Sequence, residues 1–145
     1  MTCFTAPIRN FVIAASIVCA SVAAQAATVA LKADLQASSE VPAKTSPGHG
    51  ELTATLDTDS NELKYHVTYE GLTGPAVAAH FHGPAEAGGN AKPQVPVAKP
   101  LESPIEGKAT LTPEQAKELL GGKWYFNIHT AQNPGGEIRG QVTKE

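Results

Sequence analysis

The triplet His80-Phe81-His82 and the distant His129 are the residues of this chain whose types and spacing fit metal chemistry. Successive side chains of a strand point to opposite faces, so the two imidazoles of a His-x-His triplet share one face. Val77, Ala79 and Phe81 would occupy the other face and read as core. The segment Lys123 to Thr130 repeats the pattern: Trp124, Phe126 and Ile128 form an apolar stripe, and Tyr125, Asn127 and His129 face away from it. If the two strands are neighbours, three imidazoles converge. A neutral imidazole is a nitrogen donor near pH 7, and three of them suit copper, zinc or nickel; copper is the first expectation and zinc the second. His-x-His alone is a weak signal. The plain alternative is that His80 and His82 hydrogen-bond loop backbone at a strand end and bind nothing.

Three residues are expected behind the ligands. Asn127 shares the face of His129, and Glu137 and Arg139 lie on the polar face of the final strand, across the Asn133-Pro134-Gly135-Gly136 turn. A Glu137 carboxylate there would hold an imidazole N–H and so fix the tautomer offered to an ion. A cross-strand ion pair between Arg139 and a nearby acid competes with that reading and stands ahead of it. His49, in a glycine-rich loop, and His66, beside Lys64 and Thr68, are left out of the ligand set. The chain has no nucleophile elbow, no phosphate-cradling glycine loop and no carboxylate pair in an acid-base setting, so a binding protein is expected before an enzyme. A superoxide-handling copper site ranks last, because no second metal site with a bridging histidine is visible.

The elements that must position these residues are short strands. Thirteen glycines and eleven prolines punctuate runs of Val, Ile, Leu, Thr and Tyr, the pattern of an all-β fold. Strands are expected at 28–37, 51–56, 62–70, 76–82, 105–111, 123–130 and 137–142, with at best an edge strand in the proline-interrupted stretch before Pro104. Asp57 to Asn61 reads as a hairpin turn. Thr112-Pro113-Glu114-Gln115 reads as a capping box opening one short helix, near residues 113–120, which Gly121-Gly122 stops. Gly83, Gly89 and Gly135 are expected at positive φ.

Residues 1–26 read as an export signal. Arg9 precedes an uncharged apolar run, Phe11 to Ala24, and Ala24-Gln25-Ala26 has the small-x-small pattern of a cleavage site. The run is shorter than the roughly 20 residues of a membrane-spanning helix, so stable membrane insertion after cleavage is not expected, and Val18 before Cys19 argues against a lipid anchor. Residues 27–145 then form a single domain, periplasmic or secreted. Removing Arg9 with the leader takes the formal net charge from −3 to −4, with lysines scattered singly, which excludes a nucleic-acid groove. Cys3 and Cys19 lie in the leader and Met1 is the only methionine, so the domain has neither thiolate nor thioether ligands and meets metals as divalent ions.

Ala79 to Ala85 (AHFHGPA), Gly88 to Asn90 (GGN), the LTPEQ and WYFNIHT segments and PGGEIRGQV down to Val142 resemble the CHRD domain, named for chordin. The resemblance covers nearly the whole of residues 27–145. It implies an immunoglobulin-like or superoxide-dismutase-like antiparallel β-sandwich or barrel of about seven or eight strands, and a stand-alone exported bacterial member. It places His80, His82 and His129 inside the recognisable motifs, which strengthens the metal reading. Growth-factor binding does not carry over, because the cysteine-rich modules that accompany the domain in chordin are missing. A structural or interaction sandwich that presents loops to another exported protein, without metal, is the main alternative function.

Overall fold

The computed structural model describes residues 27–145, and Thr2 besides; apart from that one residue, the leader read over residues 1–26 lies outside the described residues. Among the described residues nine strands form: β1 Thr28–Gln36, β2 His49–Asp57, β3 Glu62–Glu70, β4 Ala76–His82, β5 Pro93–Pro96, β6 Ile105–Thr110, β7 Tyr125–Thr130, β8 Ile138–Gln141 and β9 Thr143–Lys144. One helix, α1 Pro113–Leu120, stands between β6 and β7. The expected all-β fold with a single short helix is what the described residues adopt, with two short strands, β5 and β9, beyond the firm set. Among the described residues no helix is long and apolar enough to cross a membrane.

All the strands join one antiparallel sheet in the order β5-β4-β7-β8-β1-β2-β3-β6, with β9 beside β1. β1 is the joint between its halves. It pairs with β2 along its whole length, but meets β8 only where Gln36 faces Arg139 and β9 only at Leu31 and Lys32. The sheet curls there into a nearly closed barrel whose free edges are β5 and β6. The period-2 pattern explains the interior: Leu31, Leu35, Leu52, Leu56, Leu63 and Val67 on β1 to β3 are buried against Phe81, Phe126 and Ile128 on β4 and β7. Tyr65 of β3 reaches Phe81 of β4 edge-on across this interior, with ring centroids 5.2 Å apart. Each fully buried Leu or Phe contributes about 2 kcal/mol by leaving water, and this packing must hold a domain that has no cysteine to cross-link.

Two expectations need correction. Val77 is 46% exposed rather than core, because the β4 register against β7 shifts between Ala76 and Ala78, and the extra residue of such a bulge falls out of the alternation. Among the described glycines positive φ occurs at Gly71, Gly88, Gly122 and Gly136, not at Gly83, Gly89 or Gly135. Gly83 answers a different need: a Cβ there would overlap the indole of the buried Trp124.

The capping box forms as expected. The Thr112 side chain accepts from the Gln115 backbone N–H at 3.2 Å, and the Gln115 side-chain oxygen accepts from the Thr112 N–H at 2.9 Å. Thr112→Ala removes one acceptor for an otherwise unpaired helix N–H and should cost about 1 kcal/mol. A melting temperature lowered by roughly 4 °C checks it; an unchanged one would show that water replaces the cap without loss.

Candidate metal centre

β4 and β7 are direct neighbours, the condition on which convergence of the three histidines depended. His80 lies opposite Asn127, His82 opposite Tyr125 and Ala78 opposite His129, so one face of the pair carries three imidazoles, a phenol and a carboxamide. This face is not open surface. Every residue of β7 is buried, on both sides of the strand, and the loop from Gly83 to Lys92 folds back over its Tyr125 end.

That loop is held by the same residues that line the site. The His82 Nδ1–H donates to the Ala91 carbonyl at 2.9 Å, and the Tyr125 hydroxyl contacts the Ala91 N–H and C=O at 3.2 and 3.3 Å. Arg139 of β8 donates to the Asn90 side-chain oxygen at 2.8 Å and to the Gly89 carbonyl. The Tyr125 ring stacks on the His82 imidazole, 4.8 Å away and nearly parallel at 6°. The Arg139 guanidinium covers the other face of Tyr125 at 3.4 Å from its centroid, a cation–π contact. Guanidinium, phenol and imidazole thus form a three-layer stack that fixes the His82 ring plane.

His129 is oriented from the other end. Its Nδ1–H donates to the Pro134 carbonyl in the β7–β8 turn at 2.9 Å. Since one nitrogen of a neutral imidazole is a donor and the other an acceptor, these two carbonyls leave the lone pairs of His82 and His129 on Nε2. The His129 Nε2 lies 3.1 Å from His80 Nδ1. Two nitrogens bound to one ion at about 2.0–2.1 Å and at 90–109° are about 2.9–3.4 Å apart, so the observed separation falls within what shared ligation requires. His80 has no carbonyl partner and is free to move its proton from Nδ1 to Nε2.

Among the described residues, His80, His82 and His129 offer nitrogens that all lie within 4.8 Å of one another. The His82 Nε2 is buried and has no hydrogen-bond partner, an arrangement that costs about 1–3 kcal/mol unless something fills it. Burial, and then the neighbouring imidazoles, hold the pKa of His80 below the usual histidine value. Burial lowers His82 too, with help from His129 and Arg139 and against the Ala91 and Asn127 contacts. Both therefore remain neutral, with lone pairs available, through neutral pH.

The remaining residues divide. Asn127 stands within the histidine face, 2% exposed. Arg139 lies over Tyr125, and among the described residues no carboxylate lies within ion-pair distance of it; Glu40 is buried, and its pKa is pushed up by that burial against the pull of Arg139. Glu137 is a correction. Its carboxylate holds no imidazole but accepts from Ser46, Thr73, Thr130 and Asn133, because Pro134 in the turn before it already supplies the acceptor for His129. His49 bonds Pro47 and Glu70 and His66 bonds Glu106, both away from the site. Glu40 and the Gly83–Lys92 loop were missed by the sequence reading: neither shares a strand pattern with the histidines.

A family model, that of the CHRD domain, matches residues 31–142. No curated protein and no solved structure matches the chain.

Proposed function

Because the chain belongs to the CHRD domain family, with the three motif histidines grouped on one face, we propose that it is an exported metal-binding protein that holds one divalent copper ion at His80, His82 and His129. The observation that carries the reading is the pair of backbone-anchored imidazoles, His82 and His129, whose Nε2 lone pairs are left for the group they form with His80. Neutral nitrogen donors without thiolate or thioether suit Cu(II) ahead of soft Cu(I), and copper stands above zinc in divalent affinity. A solvent-accessible His80 gives the ion a way in and out, which fits buffering or delivery of copper outside the cytoplasm.

Protein expressed from the full chain and purified without an affinity tag should take up one equivalent of Cu(II). A ligand that binds only the folded state stabilises it by RT ln(1 + [L]/Kd), about 2.7 kcal/mol at a free concentration 100 times Kd, so the melting temperature should rise by roughly 10 °C. No uptake and no rise would leave a sandwich whose histidines merely brace loops.

A further inference from the structure

The His82 Nε2 has a neighbour in the same condition. The Asn127 side-chain oxygen is also buried without a hydrogen-bond partner, and Asn127 shares its strand face with Tyr125, whose ring stacks on the His82 imidazole. Asn127 sits directly opposite His80 and shares its strand face with His129, two residues on, so it is in the midst of the three imidazoles. Its Nδ2 is directed the other way, toward Glu40 Oε1 at 3.5 Å. Gly136 makes that contact possible, since a Cβ on it would overlap both Glu40 and the Asn127 amide nitrogen.

The His82 Nε2 carries a lone pair, because its Nδ1–H is spent on Ala91, and a carboxamide oxygen carries only lone pairs. Both are acceptors, so neither satisfies the other. Positive charge between them satisfies both. We propose that the Asn127 Oδ1 is the fourth donor to the metal ion, completing a set of three nitrogens and one oxygen and making the site selective for the divalent state of copper. This rests on the three-histidine reading. Oxygen donors favour harder divalent ions, and Cu(I) gains little from them; three imidazoles alone serve either state.

The test compares wild-type protein from the full chain with Asn127→Leu and Asn127→Asp, using Cu(II) and Cu(I) as probes in competition with chromophoric chelators, and recording the Cu(II) electron paramagnetic resonance spectrum. Asn127→Leu should weaken Cu(II) binding about tenfold and leave Cu(I) affinity within twofold, which raises the copper reduction potential by ~59 mV; the Cu(II) spectrum should change. Asn127→Asp, which keeps the oxygen and adds charge, should bind Cu(II) at least as tightly as wild type. A structural role alone would weaken both oxidation states together and leave the spectrum alone, overturning the inference. Unchanged or tighter Cu(II) binding by Asn127→Leu would overturn it as well, since the amide would then be donating its N–H to His82 in competition with the ion. Failure of wild type to bind Cu(II) at all would instead sink the three-histidine reading on which this one stands.

Discussion

His129→Ala is expected to weaken Cu(II) binding by more than about 100-fold while leaving the protein folded. Residues that only support a ligand already cost 10–100-fold when removed, and His129 is placed to be a ligand itself, with Nε2 3.1 Å from His80 Nδ1. Alanine leaves two imidazoles that have no third nitrogen to complete the set. The cost in stability is modest, because the Pro134 carbonyl that loses its donor lies in a turn, and a net hydrogen bond is worth about 1 kcal/mol. Isothermal titration with Cu(II), beside a thermal melt of the same variant without metal, separates the two effects. His129→Gly should regain part of the affinity when free imidazole is added, and His66→Ala, on the far exposed face beside Glu106, should bind like wild type. Full affinity in both His129→Ala and His82→Ala would end the three-histidine proposal.

The second large effect concerns stability. Glu137 is wholly buried, and its carboxylate accepts from the Ser46 hydroxyl at 2.6 Å, the Thr73 N–H at 2.8 Å and hydroxyl at 2.7 Å, the Thr130 hydroxyl at 2.6 Å and the Asn133 amide at 3.2 Å. These donors come from the β1–β2 loop, the β3–β4 loop, β7 and the β7–β8 turn, so one side chain ties four segments together. Burial pushes its pKa up, but the hydrogen bonds from Ser46, Thr130 and Thr73 outweigh it and hold the carboxyl at about 2, below its ordinary 4.5. Glu137→Ala strands the donors, and with partial rescue by rotating hydroxyls the loss should be about 3 kcal/mol, or roughly 12 °C in melting temperature.

The pH dependence follows from the sign of the shift. A carboxyl whose pKa is lower in the folded state contributes stability that is fully present above its unfolded value, and loses it as pH falls through the folded one. For Glu137 that window runs from about 4.5 down to about 2. Glu137→Gln should flatten the acid limb of stability over this range, as denaturant melts at a series of pH values would show. An acid limb identical to that of wild type would mean that other carboxylates dominate it. His80 and His82, whose pKa values are lowered on folding, add a separate loss that begins below the ordinary histidine pKa, about 6.5.

Much of this molecule was legible from residue order. The alternation of Leu31, Ala33 and Leu35, or of Trp124, Phe126 and Ile128, reports a strand and its buried face, because that periodicity is a property of the backbone and needs no partner. The capping box at Thr112 and Gln115 is likewise contained within one turn of chain. That His80 and His82 share a face follows from a spacing of two.

What no local pattern contains is who sits beside whom. Pairing of β4 with β7, across 42 intervening residues, comes from burying their stripes in one interior, and only that brings His129 to the other two. The loop that returns over the His82 end turned a face read as polar into a closed one, and one carbonyl of that loop and one of the β7–β8 turn chose the tautomers. Glu137 went to four partners, two of them, Ser46 and Thr73, on loops far away in sequence, instead of to an imidazole, since hydrogen-bond donors are recruited by distance in space. The strand pattern by itself thus determined which residues face together, and the tertiary structure decided which faces meet and which nitrogen each imidazole has left to give.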